Sequence, residues 1–175
     1  MPDLQYPIGK LQTKPVLSDS ERRGFIQQIA EAPESLKKAV TGLLPGQLDT
    51  PYRPGGWTVR QVSHHLPDSH MNAYIRMKLA LTESHPTIKP YDEKLWAELH
   101  DVKVAPVETS LALLEALHQR WVILLRSLGS GDFLKTMVHP ELGVINLDFI
   151  VQMYGWHGRH HVAHITSLKD RMGWR

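Results

Sequence analysis

The sequence predicts an all-α protein, a bundle of four helices, and three observations lead there. Apolar residues recur at helical spacing through four stretches of more than twenty residues each. Two of these stretches open on a capping box, Ser18-Asp-Ser-Glu21 and Thr58-Val-Arg-Gln61. Between the stretches there are few strand signals and no internal repeat. A chain of 175 residues, 42% hydrophobic and 22% charged, suits a single domain, residues 1–175, with a sizeable core.

The first helix opens at Ser18 and runs towards residue 43 or 44, with Phe25, Ile26, Ile29, Leu36, Val40 and Leu43 as its apolar stripe. Pro33 is expected to kink or interrupt it. Residues 44–56 are crowded with proline and glycine and read as a loop. The second helix begins at Thr58 and buries Val59, Val62, Leu66, Ala73, Met77, Ala80 and Leu81. Pro67 removes the bond from its own nitrogen to the Ser63 carbonyl, so a kink is expected there. A connection through Pro86 and Pro90 includes a short helical piece near residues 93–99. The third helix spans about residues 106–128, with Leu111, Leu114, Leu117, Trp121, Leu125 and Leu128 at near-heptad spacing, and Gly129-Ser-Gly-Asp132 ends it. Residues 136–139 and 144–145 flank Pro140-Glu-Leu-Gly143 and suggest a small hairpin before the last helix. That helix runs from near residue 146 to about 172.

Composition removes several function classes. Twenty basic and eighteen acidic residues leave a net charge of +2 with no clustered Lys/Arg, so affinity for duplex DNA is not expected. Without cysteine there is no disulfide, thiolate metal site or cysteine nucleophile, and any metal must take nitrogen and oxygen ligands. Neither a signal-peptide core nor a bilayer-spanning apolar run is present, which suggests a cytoplasmic protein without membrane contact. Nucleotide-binding loops of the P-loop or GxGxxG type do not occur.

The chemistry concentrates in Trp156-His-Gly-Arg-His-His-Val-Ala-His164. His157, His160, His161 and His164 follow the i, i+3, i+4, i+7 pattern and share one helical face with Ile150, Met153, Tyr154 and Leu168. Four inward imidazoles are costly to bury unless something organises them, and a divalent metal is the simplest organiser. Both 157/161 and 160/164 are i, i+4 pairs able to hold one ion, and the second helix can add His64, His65 or His70. Helical spacing therefore predicts a three-histidine site and leaves the members open. The zincin pattern fails because His161 stands where its glutamate belongs, and Glu115-Ala-Leu-His118 is only half of a di-iron pattern.

Trp57-Thr-Val-Arg-Gln-Val-Ser-His-His65, Leu66, Asp68-Ser-His-Met-Asn72, Pro90-Tyr-Asp-Glu-Lys94 and residues 156–166 resemble the DinB/YfiT superfamily, most closely its YfiT branch of metal-dependent hydrolases. The resemblance extends from Tyr6-Pro-Ile-Gly9 to Arg171-Met-Gly-Trp174. It implies a four-helix bundle holding one divalent metal, zinc first and nickel second, through a histidine of the second helix and a His-x-x-x-His pair of the fourth. By that resemblance the second-helix ligand, eight residues after the motif tryptophan, is His65, and the pair is His160 and His164. His157 and His161 are then expected to orient a ligand or line the cleft, and His64, His85, His100 and His139 to sit on the surface. Asp68, Tyr154 and His161 are candidate proton-transfer groups. Ser69, Asn72 and Arg76 share the stripe of His65 and suit a polar or anionic substrate group. The resemblance implies hydrolysis of a small-molecule substrate or, as the alternative, S-transfer with a low-molecular-weight thiol such as bacillithiol, and a homodimer. A non-catalytic metal-binding stress protein is the contrasting expectation.

Overall fold

The computed structural model describes residues 3–174. In chain order the elements are α1 (Asp19–Val40), α2 (Pro45–Leu48), α3 (Val59–Thr82), α4 (Glu93–Trp96), α5 (His100–Val104), α6 (Val107–Ser127), a 3₁₀ turn (Asp132–Leu134), β1 (Thr136–His139), β2 (Gly143–Asn146) and α7 (Leu147–Met172). The four long helices α1, α3, α6 and α7 are those expected, and α2 and α5 are short additions within stretches read as connections. Both capping boxes form: the Ser18 hydroxyl accepts from the Glu21 amide at 3.3 Å, and that of Thr58 accepts from Gln61 at 3.1 Å. Asn146 caps α7 by accepting the Phe149 amide at 2.9 Å, and Gly173, with φ 65°, closes it in the left-handed conformation.

Neither internal proline ends its helix. Pro33 lies within α1 and Pro67 within α3, and both helices continue past them. Tertiary packing along the flanking turns outweighs one missing backbone bond. The hairpin is present, with Thr136 opposite Asn146 and His139 opposite Gly143.

Helix α1 packs on α6 and α7, and α3 packs on the same two, so the order around the bundle is α1–α6–α3–α7. Glycine permits a close approach between α1 and α7. A Cβ at Gly155 would stand 3.3 Å from the Phe25 carbonyl, and one at Gly158 would stand 3.0 Å from the Ala32 Cβ.

The core is divided in two. One apolar cluster gathers Ile29, Ala73, Trp121 and Tyr154, and the other Leu36, Leu66, Leu114 and Ile165. On all four helices the residues between these positions form a middle belt, and it carries His70, His118, His157, His160, His161 and His164. The site is therefore built into the waist of the bundle.

The segment before α1 lies along α7, fastened by polar groups of that helix. Gln152 bonds both backbone groups of Lys14, at 2.8 and 2.9 Å, and Asp148 accepts from the Leu17 amide at 2.9 Å. The Trp156 indole donates to the Gly9 carbonyl at 3.2 Å. These bonds satisfy part of the hydrogen-bonding capacity of two buried polar side chains of α7.

Candidate metal centre

His65 enters the waist from α3 and meets His157 and His161 from the next turn of α7. The Nε2 atoms of His65 and His157 are 3.3 Å apart, and one donor atom from each of the three residues lies within 4.8 Å of the others. Two nitrogens each about 2.05 Å from a tetrahedral ion stand about 3.3 Å apart, so the separation fits a common ion. Trp57 covers the group, its ring centroid 4.7 Å from that of His65 and 6.2 Å from that of His161.

The trio that the resemblance implied, His65, His160 and His164, does not gather into one group among the described residues. His160 and His164 form a second group, joined by His161 and not by His65. The reason is helical phase. Three residues turn the helix through about 300°, so the 160/164 pair is rotated about 60° from the 157/161 pair. That rotation points it at the N-terminal segment and the loop before α3. The His164 ring stacks on Tyr52 at 3.8 Å and its Nε2 meets the Gln5 carbonyl at 3.1 Å, while His160 stacks on Trp156 at 4.2 Å. The Nδ1 atoms of His160, His161 and His164 are buried without hydrogen-bond partners.

Electrostatics keep the imidazoles neutral. Burial pushes His65 down to about 4, and burial followed by the neighbouring imidazoles holds His157 and His161 well below the ordinary histidine value. His160 is likewise lowered to about 4, first by burial and then by His164. Neutral rings at neutral pH carry the lone pairs that a cation needs. With no carboxylate in either group, a bound divalent ion would keep its full charge.

The ring of His157 is held from behind. Its Nδ1 lies 3.1 Å from His70 Nε2, His70 Nδ1 lies 2.8 Å from His118 Nε2, and His118 Nδ1 lies 2.6 Å from the Ile29 carbonyl. His70 has no solvent exposure, and His118 is buried beneath the groove between α1 and α6.

In front, a cleft of about 360 Å³ reaches His65, His157 and His161 at one end and Arg76, Tyr91 and His139 at the other. Ser69 lines it, 3.5 Å from the Tyr154 hydroxyl. Tyr154 is buried behind that wall, so of the three proton-transfer candidates only His161 lines the cleft. Asp68 is outside it, its carboxyl raised to about 6 by burial and then by Asp101. Asn72 does not line it either; its amide caps the Asp68 carbonyl at 2.9 Å. His64, expected on the surface, is buried, its Nδ1 2.7 Å from the Ser110 hydroxyl. His139, also expected there, forms part of the cleft rim. In the sequence His70 was legible as one of three possible ligands on the second helix and His118 only as half of a di-iron pattern, since nothing in their spacing announces that their rings meet.

Fold and site together define a four-helix bundle with histidine groups at its waist that could hold a metal ion. The chain belongs to the DinB superfamily, whose model matches residues 28–165. It is 56% identical over 174 residues, covering 99% of this chain and all of the relative, to a protein of Bacillus cereus strain ATCC 10987. A protein of Bacillus thuringiensis subsp. konkukian strain 97-27 matches to the same extent, and both carry metal-dependent hydrolase as a provisional name. Among solved structures it resembles YfiT from Bacillus subtilis, described provisionally as a metal-dependent hydrolase with an unusual four-helix bundle topology. There the TM-score is 0.96 and the identity 52%, over 98% of this chain and 99% of the other.

Proposed function

We propose that the protein is a metal-dependent hydrolase whose single divalent ion, zinc by preference, is held by His65, His157 and His161. The observation that carries this reading is the convergence of three neutral imidazoles at the inner end of an open cleft. Three histidines without a carboxylate suit zinc, with nickel as a plausible occupant, and leave at least one coordination position for chemistry. The ion would supply a water acidic enough to serve as nucleophile near neutral pH. Around it, Trp57 excludes solvent from the ligand rings, and His70 braces His157. Arg76, at the far end of the cleft, suits an anionic group of a small-molecule substrate.

Metal content of the purified protein tests the reading, measured by mass spectrometry beside His65→Ala, His157→Ala and His164→Ala variants that remain folded. One ion per chain, lost in the first two and kept in the third, is expected. An ion kept in His157→Ala and lost in His164→Ala would overturn the ligand set in favour of the 160/164 pair. Turnover then separates the chemistries. Zinc-dependent cleavage of ester, amide or phosphoester panels supports hydrolysis. Zinc-dependent addition of a low-molecular-weight thiol to an electrophile would replace it with S-transfer, which a cysteine-free chain suits because no protein thiol competes. Loaded protein inert in both would mark a metal-binding protein without catalysis.

A further inference from the structure

The geometry points to His118, His70 and Pro33 as positioning residues of the metal centre: a chain of imidazoles, anchored on a carbonyl that Pro33 leaves free, fixes the tautomer and orientation of His157. The inference rests on His157 being a ligand.

The argument starts at the far end of the chain. In a helix the amide of residue 33 bonds the carbonyl of residue 29, but proline has no N–H, so the Ile29 carbonyl has no helical partner. His118 Nδ1 takes that place at 2.6 Å. A carbonyl oxygen can only accept, so His118 Nδ1 carries the ring proton and its Nε2 is bare. His118 Nε2 then accepts from His70 Nδ1 at 2.8 Å, which leaves His70 Nε2 bare. His70 Nε2 in turn accepts from His157 Nδ1 at 3.1 Å. His157 Nε2 is thus left with its lone pair directed at the cleft, 3.3 Å from His65 Nε2. Read in the opposite direction the chain fails at its first step, because Ile29 has no proton to give.

Packing holds the rings in place. Tyr154 meets His70 edge-on at 4.9 Å and 88°, and Trp121 stands edge-on to both His70 and His118 at 6.0 and 5.8 Å. Rotating either ring by half a turn would set ring carbon against the hydrogen-bonding nitrogen or oxygen of both neighbours. Apolar side chains would fill this waist at no hydrogen-bonding cost, as they do in the clusters on either side. Two buried imidazoles in series do what apolar residues cannot: they transmit the polarity of a backbone carbonyl on α1 to a metal ligand on α7.

Long-range ¹H–¹⁵N correlation spectra of the metal-free, ¹⁵N-labelled protein test the polarity directly. His118, His70 and His157 are expected in the Nδ1–H form, and any one of them in the Nε2–H form overturns the proposal. Zinc affinity, measured by competition with a chelator, tests its consequence. His118→Phe keeps a planar aromatic ring, somewhat larger than imidazole, and removes both bonds, and a loss of roughly 10–100-fold is expected, as for other groups that support a metal ligand. Pro33→Ala restores a competing amide to a carbonyl with two lone pairs, so a smaller loss of the order of several-fold is expected. Affinities within twofold of wild type in both variants, with unchanged circular dichroism, would overturn the proposal. His157→Ala separates the two levels of the argument. Undiminished zinc binding there would remove the ligand reading itself, whereas binding lost there but intact in His118→Phe would remove only the positioning role. Should His118→Phe fail to fold, the spectra of the wild-type protein decide.

Discussion

Replacing Asp148 with alanine should cost the protein about 4 kcal/mol of folding free energy while leaving metal affinity unchanged. Asp148 has no solvent exposure and Arg22 only 5%. The guanidinium forks onto the carboxylate, Nε at 2.6 Å from one oxygen and Nη2 at 3.0 Å from the other, and the Leu17 amide adds a third bond at 2.9 Å. Removing the carboxylate strands a buried cation whose remaining acid partner, Asp19, is exposed. Breaking a buried pair in this way costs roughly 3–5 kcal/mol, a large share of the 5–15 kcal/mol typical of a whole domain. For a chain of this length the midpoint of thermal unfolding should fall by about 10 °C or more. Metal binding should persist because Asp148 precedes His157 by nine residues, about 13 Å along α7. Urea denaturation of metal-free protein measures the loss, and chelator competition measures zinc affinity. Arg22→Met combined with Asp148→Leu should recover part of the stability, since no charge is then left unpaired. A loss below about 1 kcal/mol for Asp148→Ala would refute the reasoning that a buried guanidinium is left stranded without this carboxylate.

Gly155→Ala should destabilise by about 1–3 kcal/mol by urea denaturation, because the strain of a Cβ 3.0 Å from the Phe25 ring and 3.3 Å from its carbonyl outweighs a gain of about 1 kcal/mol in helix propensity. A more stable variant would show that α1 yields. Asp68 supplies a pH dependence. Its carboxyl is raised from 3.8 to about 6 in the folded state, so the fold takes up a proton there. The favourable contribution of the protonated form is fully present below about 4 and is lost as pH rises towards and through 6. Asp68→Asn should therefore gain about 1 kcal/mol over wild type at pH 7.5, discounted for partial exposure, and nothing at pH 4. Equal gains at both values would contradict this.

Much of the architecture was readable because its signals are local. Capping boxes at Ser18 and Thr58, stripes at helical spacing and the Pro140–Gly143 turn each depend on a few neighbouring residues, and each element formed. The site was readable as a chemistry and less so as a geometry. Four histidines on one face of α7 announced a metal-binding cluster, but choosing between pairs 60° apart needs the positions of the neighbouring helices. Those positions depend on Gly155 and Gly158 drawing α1 inward and on the N-terminal segment occupying the side of His160 and His164. The burial of His64 was missed for the same reason. Its helical phase lies off the apolar stripe of α3, yet Ser110 of α6 is there to meet it.

The proline in α1 has a consequence for how such a protein is dissected. Pro33 has no charge, no proton to exchange and no heteroatom to offer, and it lines the groove between α1 and α6, away from the cleft. A scan that replaces polar and ionisable side chains would pass over it, and a stability screen would welcome its replacement by a better helix former. Yet what this position withholds, one amide hydrogen, is what frees the Ile29 carbonyl for His118.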